Sequence, residues 1–413
     1  MPASLTRGRR IGKVGSPSSP RKGLTVRLAR VAVLAAAAVL PLNLTACSKP
    51  APATDTSPIV IGADLELSGV DAAVGNTYAR ALQLRIDELN ALGGVNGRRI
   101  VLEQKDNRSD ASVSVADVNA FGAEPGIAGL IIGACATCAA DVSKTLDDRM
   151  LPTLTLAPAG GLVRPVTDHP YLFKLGPDAD DSASVLAGLL QEASIHTAAL
   201  LSTDDVNGAD AIAAISTQAP RAHVNLVSKQ TFKATDTDLA QPVHAALAKN
   251  PGALVVSTFA AQAALVAQTA HEDGYTGRLF FDATAAGDLF LAGSAAQATE
   301  GAIMVAPQTL VIDDVVATTP AKTARKRWFD DYTSRFGGFS GYSTYAADAV
   351  QVLVDAVRTA GGPDHRKMRD IMEDTAFDGL SGQVRFTPDN HSGMMSQALT
   401  SVVARSGRWR LFG

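Results

Sequence analysis

Between residues 59 and 281 short β-rich runs alternate with helical stretches of about ten to fifteen residues, and this alternation constrains the fold more than any other feature. The first set of runs covers residues 59–63, 99–104, 127–133, 152–156 and 171–175, separated by helical patterns over 77–92, 113–121 and 139–149. A second set follows at 197–201, 224–231, 253–257 and 278–281, with helices starting near Ser182 and Gly208 and spanning 239–248 and 260–273. Strands joined through helices must run parallel and be covered on both faces, which makes the chain an α/β protein. Nine such runs exceed one small sheet and predict two Rossmann-like lobes. The remainder reads as an apolar run at 303–307, helices over 322–336, 342–360 and 368–374, late strands at 384–386 and 399–404, and a closing turn at Gly407-Arg408-Trp409.

The N-terminal segment predicts the compartment. Arg7, Arg9, Arg10, Lys13, Arg21, Lys22, Arg27 and Arg30 precede any acidic residue, and the apolar run at 31–40 is short for a permanent membrane helix. Leu44-Thr45-Ala46-Cys47 resembles a bacterial lipobox, so residues 1–46 are expected to be a signal peptide and Cys47 a lipidated first residue of the mature chain. Residues 47–58, rich in Pro, Ser and Thr, read as a tether. The whole chain carries 37 Lys+Arg against 41 Asp+Glu; without the eight leader cations the balance is 29 against 41, or −12. An acidic exported chain is a poor match for nucleic acid or an anionic membrane surface, so membrane contact is assigned to the lipid on Cys47.

The turn after the third run, Leu130 through Asp141, holds the most chemistry. An apolar strand passes through Gly133 and small residues into a helix, which leaves backbone N–H groups converging with the positive end of the helix dipole behind them. That is an anion cradle at a sheet edge. Cys135 and Cys138 in the same turn spell C-x-x-C, open to a disulfide, a redox pair or half a metal site. An exported chain favours a disulfide or small unpaired residues. Zinc would need further ligands, yet the seven His are dispersed and no second C-x-x-C occurs, so neither metal nor cofactor is expected. The chain also lacks a G-x-S-x-G elbow, a P-loop and a strand-coupled G-x-G-x-x-G, and no enzymatic activity is expected.

One element supports a family resemblance. The run Ile59-Val60-Ile61-Gly62 leads through Ser68-Gly69 into a helix and then Gly93-Gly94-Val95-Asn96-Gly97-Arg98 before the next strand. This resembles the opening of the branched-chain amino-acid binding proteins, the substrate-binding subunits of bacterial ABC importers. The resemblance implies a type I periplasmic-binding fold with a three-crossing hinge near Gly176-Pro177, Ala306-Pro307 and Leu380-Ser381-Gly382. It divides the chain into a first lobe of residues 58–177 and 307–380 and a second of 178–306 and 381–413.

The resemblance also places a ligand between the lobes. Two first-lobe loops would hold a ligand carboxylate, at Cys138 and Ala139 and at Ala159 and Gly161. Thr284 falls where amino-acid binders carry an ammonium-binding glutamate, which leaves Asp178 and Asp282 as candidate carboxylates, with Asp204 and Asp205 read as caps or solvated loop residues. Val74 and Asn207 stand where tyrosines are common, and Phe259 lies in an aromatic-bearing loop. The expected function is extracytoplasmic capture of a small polar ligand, an amino acid or related amide or carboxylate, for delivery to an ABC permease. The alternative is a sensory domain signalling to a membrane partner.

Overall fold

The computed structural model describes residues 55–287 and 294–412. The expected signal peptide, Cys47 and most of the expected tether lie outside the described residues. The first half of the chain builds β1 (Ile59–Leu65), α1 (Ala72–Ala91), β2 (Ile100–Asp106), α2 (Ala111–Gly122), β3 (Ile127–Ile132), α3 (Ala136–Arg149), β4 (Thr153–Thr155) and β5 (Leu172–Lys174). These strands form one sheet in the order β2-β1-β3-β4-β5, with every pair parallel. The chain then makes α4 (Ala179–Glu192), β6 (Thr197–Thr203), α5 (Val206–Gln218), β7 (Asn225–Phe232), α6 (Ala240–Leu247), β8 (Ala253–Ser257), α7 (Ala260–Glu272), β9 (Arg278–Phe281), α8 (Ser294–Ala298) and β10 (Ile303–Pro307).

The second sheet repeats the pattern of the first as β7-β6-β8-β9-β10 and adds β13 (Leu399–Arg405) and β14 (Arg408–Leu411). Both additions are antiparallel, β13 against β10 and β14 against β13. The sheet is parallel-dominated, as expected, and the closing turn expected at residues 407–409 belongs to a hairpin: Ser406 and Gly407, both at positive φ, turn β13 back into β14.

Helices α9 (Pro320–Phe336), α10 (Tyr342–Ala360) and α11 (His365–Glu373) return to the first lobe, where α10 lies against α1 and β3. Strands β1 and β3 are apolar along their length because both faces are covered: Ile61, Ala63 and Ile131 pack toward α1 and α10, while Leu130 and Ile132 pack toward α2 and α3 with Val118 and Val142. Helix α1 buries Val74, Tyr78, Leu82 and Leu89 along one face and ends at Ala91, after which Gly93, at a φ of 100°, turns the chain so that Gly94 N reaches Leu89 O at 2.9 Å.

Polar side chains pin the segments that link the lobes. Buried Lys174 donates to the carbonyls of Gly176 and Pro177 at 2.9 and 3.0 Å. Thr309 donates to Leu380 O at 2.6 Å, and Asp348 of α10 accepts from Leu380 N, Ser381 N and Ser381 Oγ at 2.6–2.9 Å. A small hairpin, β11 (Ala376–Asp378) with β12 (Gln383–Arg385), brackets this turn. Ser392 then bridges to Lys174 of β5, so the chain is still beside the first sheet past the crossing expected at Leu380–Gly382.

Candidate functional site

In both sheets the strand order reverses direction between two neighbours, β1 and β3 in the first and β6 and β8 in the second. Such switch points open a crevice beyond the carboxyl ends of the strands. Four segments emerge there: Glu66 to Asp71 after β1, Gly133 to Cys135 after β3, Asp204 to Asn207 after β6, and Thr258 and Phe259 after β8.

The anion cradle predicted after β3 forms, and a protein carboxylate fills it. Ala134 N donates to Glu66 Oε2 at 2.9 Å and Cys135 N to Glu66 Oε1 at 3.1 Å. Asn107 Nδ2 reaches Glu66 Oε1 at 3.2 Å and Asp64 Oδ2 at 3.3 Å, and Ser114 donates to the same Asp64 oxygen. Asp64, Glu66 and Asn107 are fully buried. Burial pushes the Glu66 carboxyl up, opposed by its backbone donors, and drives Asp64 to about 6. Gly133 is required by this packing, because a Cβ there would lie 2.1 Å from Glu66 Oε2.

Cys135 and Cys138 are joined as a disulfide at the start of α3. Cys138 N donates to Cys135 Sγ at 3.1 Å and Ala139 N to Cys135 O at 3.1 Å, so both N–H groups assigned to a ligand carboxylate are used within the helix cap. The helix begins three residues earlier than the apolar pattern predicts, at Ala136, and that shift moves Cys138 and Ala139 inside its first turn.

The second predicted loop meets the other lobe. Gly160 N, between Ala159 and Gly161, donates to Asp210 Oδ2 of α5 at 2.8 Å. Asn207 Nδ2 crosses the same boundary to Ala134 O at 3.3 Å, and its buried Oδ1 has no partner. The lobes are thus closed on each other through side chains of α5.

Two candidate carboxylates are committed elsewhere. Asp178 pairs with Arg164, accepts from Ser392 Oγ at 3.0 Å and caps α4 through Asp180 N at 3.0 Å. Despite its burial, Lys174 and Arg164 hold its carboxyl below the usual range. Asp282 accepts from Ser257 Oγ at 2.5 Å and from Thr284 N and Oγ1 at 3.1 and 3.3 Å, and burial raises it to about 6. Both acids serve as caps with every oxygen engaged, so neither offers a free carboxylate. Asp204 is exposed, and Asp205 caps α5 through Gly208 N at 2.8 Å.

Val74 and Phe259 do come together. They line a cavity of about 20 Å³ between the start of α1 and the start of α7, completed by Asp71, Thr77, Ser340 and Tyr342. That space is about the size of one water. The Tyr342 ring meets Phe259 edge-on at 6.1 Å and Tyr78 at 6.3 Å, and its hydroxyl donates to Thr284 O at 2.7 Å. Thr284 thereby anchors Tyr342 of the wall through its carbonyl. Sequence reasoning missed Glu66, Asp71, Asp210 and Tyr342. One signal was available for Glu66: Asp64 and Glu66 are two residues apart at the end of a strand and share a face.

Two closing lobes with opposed switch points and a shared cavity define a class: binding proteins that enclose a small molecule between domains. The comparisons give the family. The Periplasmic binding protein family matches residues 58–408, and the chain belongs to it. It is a type I periplasmic binding protein of the branched-chain amino-acid type, an extracytoplasmic ligand-binding receptor and not an enzyme.

Among curated relatives, the Leu/Ile/Val-binding protein homolog 7 of Brucella abortus is 22% identical over 74% of this chain and 78% of its own length. The chemotactic signal transduction system substrate-binding protein BasB of Halobacterium salinarum is 25% identical over 48% of this chain, and the match spans about half of BasB, 49%. An extracellular ligand-binding receptor from Rhodopseudomonas palustris HaA2 superposes with a TM-score of 0.79 at 20% identity, over 86% of this chain and 99% of that one. A solute binding protein of an ABC transporter from R. palustris BisB5, solved with 3,4-dihydroxy benzoic acid, gives 0.76 at 16% identity, over 87% of this chain and 97% of the other.

Proposed function

We propose that this chain is a lipid-anchored solute-binding protein that captures a small polar molecule between its lobes and delivers it to an ABC permease. The observation that carries the reading is the cavity lined jointly by α1 of the first lobe and α7 of the second, with hydrogen bonds from α5 drawing the lobes together. Opening the lobes enlarges that space, and a ligand touching both shifts the population back to the closed form. Val74, Phe259 and Tyr342 line it, Thr284 and Asn207 are expected to join its walls in the liganded cleft, and the Ala159–Gly161 loop offers its backbone once Asp210 withdraws. Cys47 would carry the lipid. Membrane retention lost in Cys47→Ala tests the anchor.

The ligand class is an amino acid or a related amide or carboxylate. A thermal-shift screen of the mature protein against amino acids, amides, ureas and aromatic acids tests it. Stabilisation by members of one class supports the reading, and a flat response across all four sinks it. The similarity to BasB favours a second reading, a sensor that reports the ligand to a membrane signalling partner. Deleting the gene for this chain separates the two: abolished uptake supports transport, and a lost behavioural response with intact uptake supports sensing.

A further inference from the structure

One carboxylate in the cleft has no partner. Asp71 occupies the N-cap position of α1 yet its side chain caps nothing. Its backbone is satisfied, with its N–H donating to Ser109 Oγ at 3.2 Å and its carbonyl accepting from Val74 N and Gly75 N at 3.0 Å. No group among the described residues donates to its carboxylate. The charges near it are the like charges of Glu66 and Asp205, and burial followed by these two raises its pKa to about 7. An N-cap aspartate normally accepts from the backbone N–H groups of the first turn. This one forgoes that bond and lines the cavity.

A second observation at the same cavity is independent of the acids. Ser340 also lines it, is only 4% exposed, and its Oγ has no hydrogen-bond partner. A buried hydroxyl without a partner is costly unless something enters to satisfy it. Phe259 and Tyr342 add aromatic surface between the two, and the Tyr342 hydroxyl is held by Thr284 O, which fixes the ring. A carboxylate, a spare hydroxyl and two rings suit a cation that carries N–H donors. An anion would meet Asp71 and Glu66 instead.

We propose that Asp71 holds the positively charged, N–H-donating end of the ligand, an ammonium or amidinium group, with Ser340 Oγ as a further partner and the Phe259 and Tyr342 rings beside it. The inference rests on the solute-binding reading and deepens it. The cationic end would sit against α1 of the first lobe, because the carboxylates after β9 and at the first crossing are already bonded within the protein.

The test is calorimetric titration of the mature protein with matched amines and acids: 3-methylbutylamine and benzylamine against 4-methylpentanoate and benzoate, on wild type and Asp71→Asn. Asp71 makes no side-chain cap and its charge is buried beside like charges, so the variant should melt no lower than wild type, checked first. Amines that bind wild type and lose about tenfold or more in affinity in Asp71→Asn support the inference. Acids that bind while amines do not, or amines indifferent to Asp71→Asn, overturn it and leave the solute-binding reading standing. No binding of any of the four overturns the inference and counts against capture of small amines and acids together.

Discussion

The two backbone cradles of the first lobe are both filled by carboxylates, but the carboxylates come from different places. At Ala134 and Cys135 the acid is Glu66, from the same lobe, fully buried and tied to Asn107. At Gly160 it is Asp210, from α5 of the opposite lobe and only partly buried. Opening the lobes removes Asp210 and leaves Glu66 in place. One cradle is therefore a structural joint within a lobe, and the other is a contact between lobes. Similar donors facing similar acids have different uses because of which lobe supplies the acid.

If the first cradle is a joint, removing its acid should unfold the lobe and not merely change binding. Glu66→Ala leaves Ala134 N and Cys135 N without an acceptor in a dry interior, and the Asn107 amide with Asp64 alone. We expect a loss of about 3 kcal/mol in urea denaturation, with the helix start of α3 the first region to exchange its amides. Glu66→Gln should cost less, about 1 kcal/mol, because one oxygen still accepts while the new NH₂ faces a donor. A Glu66→Ala protein of wild-type stability would erase the distinction between the cradles.

The same buried acids set a pH dependence whose sign follows from their shifts. Asp64 and Asp282 rise from 3.8 to about 6 and Asp71 to about 7, each chiefly through burial. An acid raised on folding binds its proton more tightly in the native state, so its contribution is complete below the unfolded value and is lost as pH climbs through the folded one. The window runs from about 4 to about 7. The urea midpoint should be higher at pH 5 than at pH 8, by on the order of 1 kcal/mol for each group. Asp178, shifted the other way, loses its contribution only as pH falls below the ordinary 3.8. A midpoint that rises from pH 5 to pH 8 would show these acids to be better solvated than their burial implies.

How far the sequence discloses all this depends on the range of the interaction. The alternation of strands and helices was legible because parallel strands buried on both faces are apolar throughout, as in Ile127–Ile132. Helix α10 begins and ends where its apolar spacing predicts, at Tyr342–Ala360, with Gly361 at a φ of 80° stopping it. Helix starts were less legible: Cys135 caps α3 with a sulfur, a cap that residue type alone does not signal. In the site, Val74 and Phe259 line one small cavity. Glu66 and Asp210 were illegible because each meets its partner across a long separation, 68 residues to Ala134 and 50 to Gly160. An acid in a strand end or on a helix looks the same whether it faces water or a neighbouring backbone. Asp178 and Asp282 were misassigned for the same reason, since their caps and the Arg164 pair exist only after folding.

The smallest effect is the most discriminating. Asp210→Ala removes one hydrogen bond between the lobes and touches no core, so the melting midpoint should hardly move. The charge-assisted bond to Gly160 N is partly solvated and should contribute about 1 kcal/mol to closure, a factor of about five in the closed-to-open ratio of the unliganded protein. Small-angle scattering should report a larger radius of gyration for the ligand-free variant, returning to the wild-type value on saturation with ligand. A ligand that carries a carboxylate to the Gly160 loop competes with Asp210, so Asp210→Ala should bind it more tightly, the gain from an emptied cradle offsetting the loss of closure. A ligand with only a cationic end gains nothing from the vacated loop and should bind Asp210→Ala more weakly. The sign of that one affinity change therefore reports whether the Gly160 cradle receives the ligand or serves only to latch the lobes.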